Sequence, residues 1–264
     1  MSTQGGAAAP VGEFDLRGRL AVVIGAGQGI GAAIAIAYAR AGADVALGGR
    51  SVERLADTCA QASAAGTSVS AGEVDVASPD SITRFAASII DRGTVPSILV
   101  NSAGGGGVRP AFDVTVEEWD QVHNIHLRGT FLACQAFGRA MAPKGYGKII
   151  NLSSTWAATV CANRSVYCSA KAGVGHLTAA LGVEWAPLGI RVNALAPTAT
   201  RTPTIERRLA ADPARAEYLR KGIPLGRLAV PEDLTGAAIF LASRASDFVT
   251  GQTLFVDGGW QFAK

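Results

Sequence analysis

Tyr167-Cys168-Ser169-Ala170-Lys171 places a phenol and an ammonium four residues apart, and Ser154 lies thirteen positions upstream. On a helix, residues four apart share a face, so the cation can lie beside the phenol. A unit charge at about 4 Å in an effective dielectric of about 20 is worth about 4 kcal/mol. That is enough to bring a tyrosine hydroxyl, whose ordinary pKa is about 10, close to neutrality. Such a group passes a proton to or from an alcohol or carbonyl oxygen. The chemistry expected is therefore carbonyl/alcohol acid–base chemistry with Tyr167 as the proton carrier. Spacing alone would also suit an ordinary helix surface, so the elements around the pair carry the argument.

Those elements begin with an apolar run, Leu20 to Ile24, followed by Gly25-Ala26-Gly27-Gln28-Gly29-Ile30-Gly31 and an Ala-rich helical stretch from about Ile30 to Ala41. A strand, a glycine turn and a helix N-terminus together make an anion site, because the glycines let phosphate approach the backbone and the first helical N–H groups are unpaired. A dinucleotide is implied. Further short apolar runs recur at Asp44–Leu47, Val69–Val74, Ser97–Val100, Lys148–Leu152, Ile190–Leu195 and Thr253–Val256, with helical patterns between. Seven near-continuously apolar strands predict one doubly wound parallel sheet with helices on both faces, a Rossmann-like α/β fold in a single domain over 13–264. Residues 1–12 read as a flexible leader, and the Pro-broken, Arg-rich stretch of about 198–227 as a lid over the ligand crevice.

Composition excludes several classes. The 24 Lys and Arg against 21 Asp and Glu are spread without a basic run, so neither nucleic acid nor an anionic membrane is an expected partner. No apolar run spans a bilayer, and Cys59, Cys134, Cys161 and Cys168 have no disulfide or zinc spacing. A cytoplasmic protein with reduced thiols and no metal is expected. The three histidines are scattered; His123 and His176 read as structural helix residues.

Cofactor choice turns on the end of the second strand, Leu47-Gly48-Gly49-Arg50-Ser51. With no carboxylate there and a guanidinium just beyond, a 2′-phosphate finds a bidentate partner and no like charge, so NADP(H) is favoured and NAD(H) remains open. Gln28, in the turn, stands where a second cation could have sat.

Together these residues resemble the classical short-chain dehydrogenase/reductase family, over nearly the whole chain from about Phe14 to Gly259. Gly25, Gly29 and Gly31 match its Gly-x-x-x-Gly-x-Gly turn, with Ile24 where threonine is usual. Asp75 and its neighbour Val76 match the adenine-contacting segment. Asn101-Ser102-Ala103-Gly104 matches Asn-Asn-Ala-Gly, with Ser102 departing. Pro197, Thr200 and Thr202 fall in the segment that meets pyrophosphate and nicotinamide, where Thr198 replaces glycine. The resemblance implies catalytic Ser154, Tyr167 and Lys171, with Ser153 rejected on spacing, and cofactor contacts from Gly25, Gln28, Gly29, Ile30, Gly31, Arg50, Asp75, Val76, Asn101, Ala103, Gly104, Tyr167, Lys171, Pro197, Thr200 and Thr202. His126, not Asn124, falls where the family has a fourth catalytic residue, an asparagine that helps hold a proton-relay water. Imidazole there is expected to keep the relay working and to add a group titrating near neutral pH.

The function so implied is hydride transfer between NAD(P) and a ketone/secondary-alcohol pair. The alternative is a cofactor-sensing or scaffold protein that keeps the fold without turnover. Trp156, Val160 and Cys161 lie between Ser154 and Tyr167 and point to an apolar small-molecule substrate. Arg201, Arg207, Arg208, Arg215, Arg220 and Lys221 in the lid read as a solvated helix face. The resemblance also implies a homotetramer, or a dimer, built on helices of about 116–141 and 166–186, whose small residues Ala133, Gly138, Ala172 and Gly173 would permit close helix contact.

Overall fold

A computed structural model describes residues 12–105 and 108–263. Of the leader expected over 1–12, only Gly12 falls among them. Strands β1 (Leu20–Ile24), β2 (Asp44–Gly49), β3 (Val69–Glu73), β4 (Ile98–Asn101), β5 (Gly147–Leu152), β6 (Ile190–Pro197) and β7 (Thr253–Val256) form one parallel sheet in the order β3-β2-β1-β4-β5-β6-β7. Alternate residues of the inner strands feed opposite cores, which is why they read as continuous apolar runs. Ala21, Val23, Ile98, Val100 and Ile150 join one core, with Ile34, Tyr38, Ala238 and Leu241 from helices α1 (Gly29–Arg40) and α9 (Thr235–Ala242). Val22, Ile24, Leu99 and Ile149 join the other, with Phe85 from α3 (Pro79–Ile90), Phe137 and Met141 from α5 (Gly129–Met141), and Leu181 from α6 (Ser165–Glu184). The sheet is thus covered on both faces, as the pattern predicts. Helix α2 (Ala56–Ser63) packs outside α1 and beside the edge strand β3, where Ala71 and Glu73 are exposed.

The strand order reverses between β1 and β4, so a crevice opens at the carboxyl ends of those two strands, at the turn after Ile24 and the loop after Asn101. The segment after β6 folds as helices α7 (Pro203–Ala211) and α8 (Pro213–Gly222). Leu209, Leu219 and Ile223 from it close a small apolar cluster around the buried Trp260, with Trp156 edge-on to Trp260 at 5.7 Å.

The helix expected over 116–141 is interrupted. Helix α4 (Val116–His123), started by a Thr115–Glu118 capping box, gives way to a π-helical turn over Asn124–Arg128 before α5 begins. The extra residue swings His126 inward, where it is 2% exposed. The expectation that small residues on these helices face a partner also needs correction. Ala133 lies in this chain's own core, a Cβ on Gly138 would sit 2.9 Å from Trp185, and one on Gly173 would sit 3.0 Å from Leu127. These positions admit neighbours within the subunit; only Ala172 of the four is exposed.

Candidate active site

At the crevice, Gly25 and Gly29 hold φ of 90° and 61°, a region that side chains disfavour. A Cβ on Gly25 would lie 2.5 Å from the Ala103 nitrogen, and one on Gly31 would lie 2.3 Å from the Gly25 oxygen. The turn is therefore closed against β4 and against its own helix, as a phosphate-binding turn must be. Gln28 precedes α1 in extended backbone with no side-chain cap, and no acidic residue occupies the first turn, which leaves the helix's N–H groups and positive end facing the crevice. These features fit the pyrophosphate of a dinucleotide. Thr202, which caps α7, closes over the turn, since a Cβ on Gly29 would meet its Cγ2 at 2.8 Å, and Gln28 Nε2 donates to Thr204 Oγ1 at 3.4 Å.

The remaining residues expected to bind cofactor fall around the same rim in different ways. Arg50 is exposed just beyond β2, and no carboxylate or carbonyl among the described residues engages it. Asp75 is exposed and organises its own turn by accepting from the Ala77 nitrogen at 3.0 Å, with Val76 buried behind it. Asn101 Nδ2 donates to Asn151 Oδ1 at 2.9 Å and to Cys134 Sγ at 3.3 Å, so its amide faces the protein and only its backbone is left for a ligand. Thr200 is likewise engaged, donating to Thr198 O at 2.9 Å, whereas Gly104 lies against the His126 ring. Ile30 begins the packing of α1 on the core, and Pro197 ends β6. The backbone of Arg54, in the short helical turn after β2, packs on the glycine turn: its oxygen lies 3.3 Å from where a Cβ on Gly27 would stand.

Ser154, Tyr167 and Lys171 do converge. The Ser154 hydroxyl hydrogen-bonds Tyr167, and Lys171 Nζ lies 5.8 Å from the centre of its ring. Ser153 is directed elsewhere, donating to Lys171 O at 3.1 Å. The expected electrostatics, however, are overturned. Lys171 Nζ donates to Leu152 O at 2.5 Å and lies 5.8 Å from the centre of the ring. Burial pushes the Tyr167 phenol up, against the lowering by Ser154 and by Arg164, and burial pushes the Lys171 ammonium down to about 7. A shared helix face fixed their proximity; it did not fix where the ammonium points, and desolvation disfavours both charged forms.

His126 needs the same correction. Its ring stands edge-on to Tyr167 at 5.3 Å, and its Nε2 lies 2.6 Å from Gly105 O. The Gly105 nitrogen also approaches Nε2, at 3.3 Å, but the carbonyl contact is the shorter one and a carbonyl only accepts; it assigns the proton to Nε2 and leaves Nδ1 bare, buried and without a partner among the described atoms. Burial, and then the charge of Lys171, hold the imidazole down at about 3. It is neutral across the physiological range and does not titrate near pH 7. The rate–pH profiles of the natural protein and of His126→Asn are therefore expected to superimpose between about pH 5 and 9; an inflection near pH 6.5 present only in the natural protein would overturn this. Because the folded pKa lies below the ordinary 6.5, the natural protein should lose stability from this ring as pH falls from 6.5 toward 3, and His126→Asn should not.

Beside Tyr167 lies a cavity of about 190 Å³. Val108, Val114, Val122 and Val166 line it together with Arg109, Glu118, Gln121, Asn163 and Arg164, so its wall is mixed, and Trp156, Val160 and Cys161, expected to line the pocket, are not among its residues. Trp156 is turned onto Trp260, and Val160 is 81% exposed. Of the cations in the α7–α8 segment, Arg201 pairs with Glu206 at 2.8 Å, and Arg220 and Lys221 pair with Glu217 at 2.7 and 3.4 Å on an exposed face. The side chain of Arg215 lies outside the described ones.

A family profile described as enoyl-(acyl carrier protein) reductase matches residues 25–261. D-threitol dehydrogenase of Mycolicibacterium smegmatis is 39% identical over 94% of this chain and 95% of its own, and gluconate 5-dehydrogenase of Gluconobacter oxydans is 38% identical over 93% and 96%. The crystal structure of a gluconate 5-dehydrogenase from Burkholderia cenocepacia in complex with NADP and tartrate superposes with a TM-score of 0.90 at 36% identity, over 96% of this chain and 98% of that one. The chain belongs to the short-chain dehydrogenase/reductase family. It is an NAD(P)-dependent oxidoreductase acting on CH–OH and C=O groups, and nothing in these likenesses favours a cofactor sensor without turnover.

Proposed function

We propose that the chain interconverts a secondary alcohol and a ketone on a small polyhydroxylated substrate, a polyol or a sugar acid, with NADP(H) as its preferred cofactor. The observation that carries this reading is the Tyr167 phenol, hydrogen-bonded by Ser154 with the Lys171 ammonium 5.8 Å from its ring centre, at the wall of a cavity. When bound, nicotinamide supplies or accepts the hydride. Tyr167 gives a proton to the substrate oxygen or takes it, Ser154 hydrogen-bonds that oxygen, and Lys171 holds the tyrosine's surroundings and the ribose side of the crevice. His126 serves as a positioning residue: its Nε2–H fixes Gly105, next to the strand end that forms the crevice floor. Relatives named for threitol and gluconate support a polar substrate in place of the apolar one expected from sequence.

NADP(H) is supported by the exposed Arg50 just beyond β2 and by neighbours solved with NADP. The α7–α8 segment, resting on Gly29 through Thr202, serves as the lid. Exposed Trp119, Phe131 and Val183 on α4, α5 and α6 support a homotetramer, and four free thiols suit a cytoplasmic setting. No helix among the described residues is long and apolar enough to cross a membrane.

Turnover of D-threitol, galactitol and D-gluconate with NADP and NAD tests the reading. NADP is expected to give the higher kcat/KM, and Arg50→Ala to raise the KM for NADP about tenfold or more with little change for NAD, the loss of one charge-assisted contact. An equal effect on both cofactors, or no turnover of any polyol or sugar acid, would defeat it.

A further inference from the structure

The chain after β7 folds back into the protein. Gly258 and Gly259 take φ of 62° and 89°, and the Asp257 carboxylate accepts from the Gly259 and Gln261 nitrogens, each at 2.9 Å. That turn drives Trp260 inward until none of it is exposed. Two elements at the edge of the site then rest on its indole. From the α7–α8 segment, the Tyr218 ring meets it edge-on at 6.2 Å, Leu219 and Ile223 pack on it, and a Cβ on Gly222 would sit 2.3 Å from its Cζ3. From the loop after β5, the Trp156 indole meets it edge-on at 5.7 Å. Trp156 belongs to the short helical turn Thr155–Ala157 that Ser154 caps, and its backbone N–H donates to the Ser154 hydroxyl at 3.2 Å. A hydroxyl has one proton and two lone pairs, so an N–H on one lone pair restricts where the proton points. The same hydroxyl hydrogen-bonds Tyr167.

We propose that Trp260 is a positioning residue for the reaction: anchored at the end of β7, it holds the Trp156 indole, and through it the Ser154 hydroxyl, in register with the seated helix α8. The inference rests on the oxidoreductase reading for the duty of Ser154, and it goes beyond that reading by tying this duty to the lid. At Gly222 the packing leaves no space for one added carbon, so a displacement of α8 toward the indole is passed on and not absorbed. Edge-to-face contacts between aromatic rings are directional, so a shift of Trp260 reaches Trp156 as a tilt. With the lid seated, the serine is aimed at Tyr167; with α8 displaced, that aim loosens. Trp260 touches no reacting atom on this account and acts through Trp156 and Ser154.

Hydrogen exchange on the full chain reads the coupling without turnover. In Trp260→Leu, amides of 155–159 and of 216–223 should both exchange at least about tenfold faster than in the natural protein, while those of β1 and α1 keep their rates and report an intact fold. Steady-state kinetics with a polyol or sugar acid read the consequence. In Trp260→Leu, kcat should fall about tenfold to a hundredfold with the KM for NADP within about twofold, since a misplaced group costs rate and not cofactor affinity. Trp260→Phe, which keeps a ring for Trp156 to meet, should recover most of that loss. In a Ser154→Ala background, Trp260→Leu should cost less than about twofold more, because residues that act as a unit are not additive. Trp156→Leu, a milder change at a half-buried ring, should reproduce the pattern and carries the test should Trp260→Leu not fold. An equal loss with and without Ser154, an unchanged kcat in the folded variants, or faster exchange in one segment without the other overturns the proposal. Coupled exchange in a protein that turns over no alcohol would uphold the link between lid and serine turn and sink the reaction assigned to it.

Discussion

Tyr167→Phe should lower kcat by at least about a thousandfold while NADPH binding stays within about twofold of the natural protein. General acid–base catalysis typically contributes about 10²–10⁴ in rate, and Ser153 cannot stand in for the hydroxyl removed, being turned to Lys171 O. The phenyl ring would keep its edge-to-face contact with His126 at 5.3 Å and its place beside Lys171, so the fold and crevice should survive. Steady-state rates, with cofactor binding followed by fluorescence, separate the two quantities. Ordinary turnover in this variant would remove Tyr167 from the chemistry altogether. The raised phenol adds a sign: carbonyl reduction, which needs the protonated form, should persist into alkaline solution, while alcohol oxidation should climb with pH as the phenol ionises.

Lys171→Met is expected to act in two opposite directions. Turnover should fall by about a hundredfold or more, as the cation beside the Tyr167 ring is lost. Thermal stability without cofactor should rise, because the natural protein buries an ammonium whose pKa is pushed down to about 7 from 10.5. The sign follows from proton binding. The unfolded chain holds this proton more tightly than the folded one, so the natural protein is disfavoured by this group below pH 7 and regains stability as pH rises from 7 to 10.5. The advantage of Lys171→Met in melting temperature should therefore be largest at or below pH 7 and should shrink toward pH 10. A variant that melts lower than the natural protein at every pH would mean that the lysine is a net stabiliser where it lies. The expected pattern is that of a functional group retained against stability.

What the sequence disclosed follows from how local each feature is. β1 stands where its apolar run predicts it, because a strand covered on both faces leaves an unbroken hydrophobic signature, and the half-buried edge strand β7 also matches its run. The glycine turn was equally legible, since Gly25 and Gly29 owe their identity to backbone angles and Gly31 to contact with a residue six positions away. The Tyr167–Lys171 pairing was legible as proximity and illegible as electrostatics. Which way the ammonium points depends on Leu152 O, nineteen residues distant, and both pKa values depend on burial, which no spacing reports. His126 was misread for the same reason: an imidazole titrates near neutrality only where water reaches it. The break in the long helix escaped because a π turn adds one residue to an otherwise helical pattern without a proline or glycine to announce it at Asn124. The cavity wall was misassigned because Trp156 is claimed by Trp260, more than a hundred residues later.

Thr202 resting on Gly29 joins two parts of the molecule that the chain order keeps apart, the turn that would cradle phosphate and the helix that covers it. Lid movements set product release in many enzymes, so sequence changes in α7 are expected to register as an altered rate of cofactor departure, read by stopped-flow displacement of NADPH.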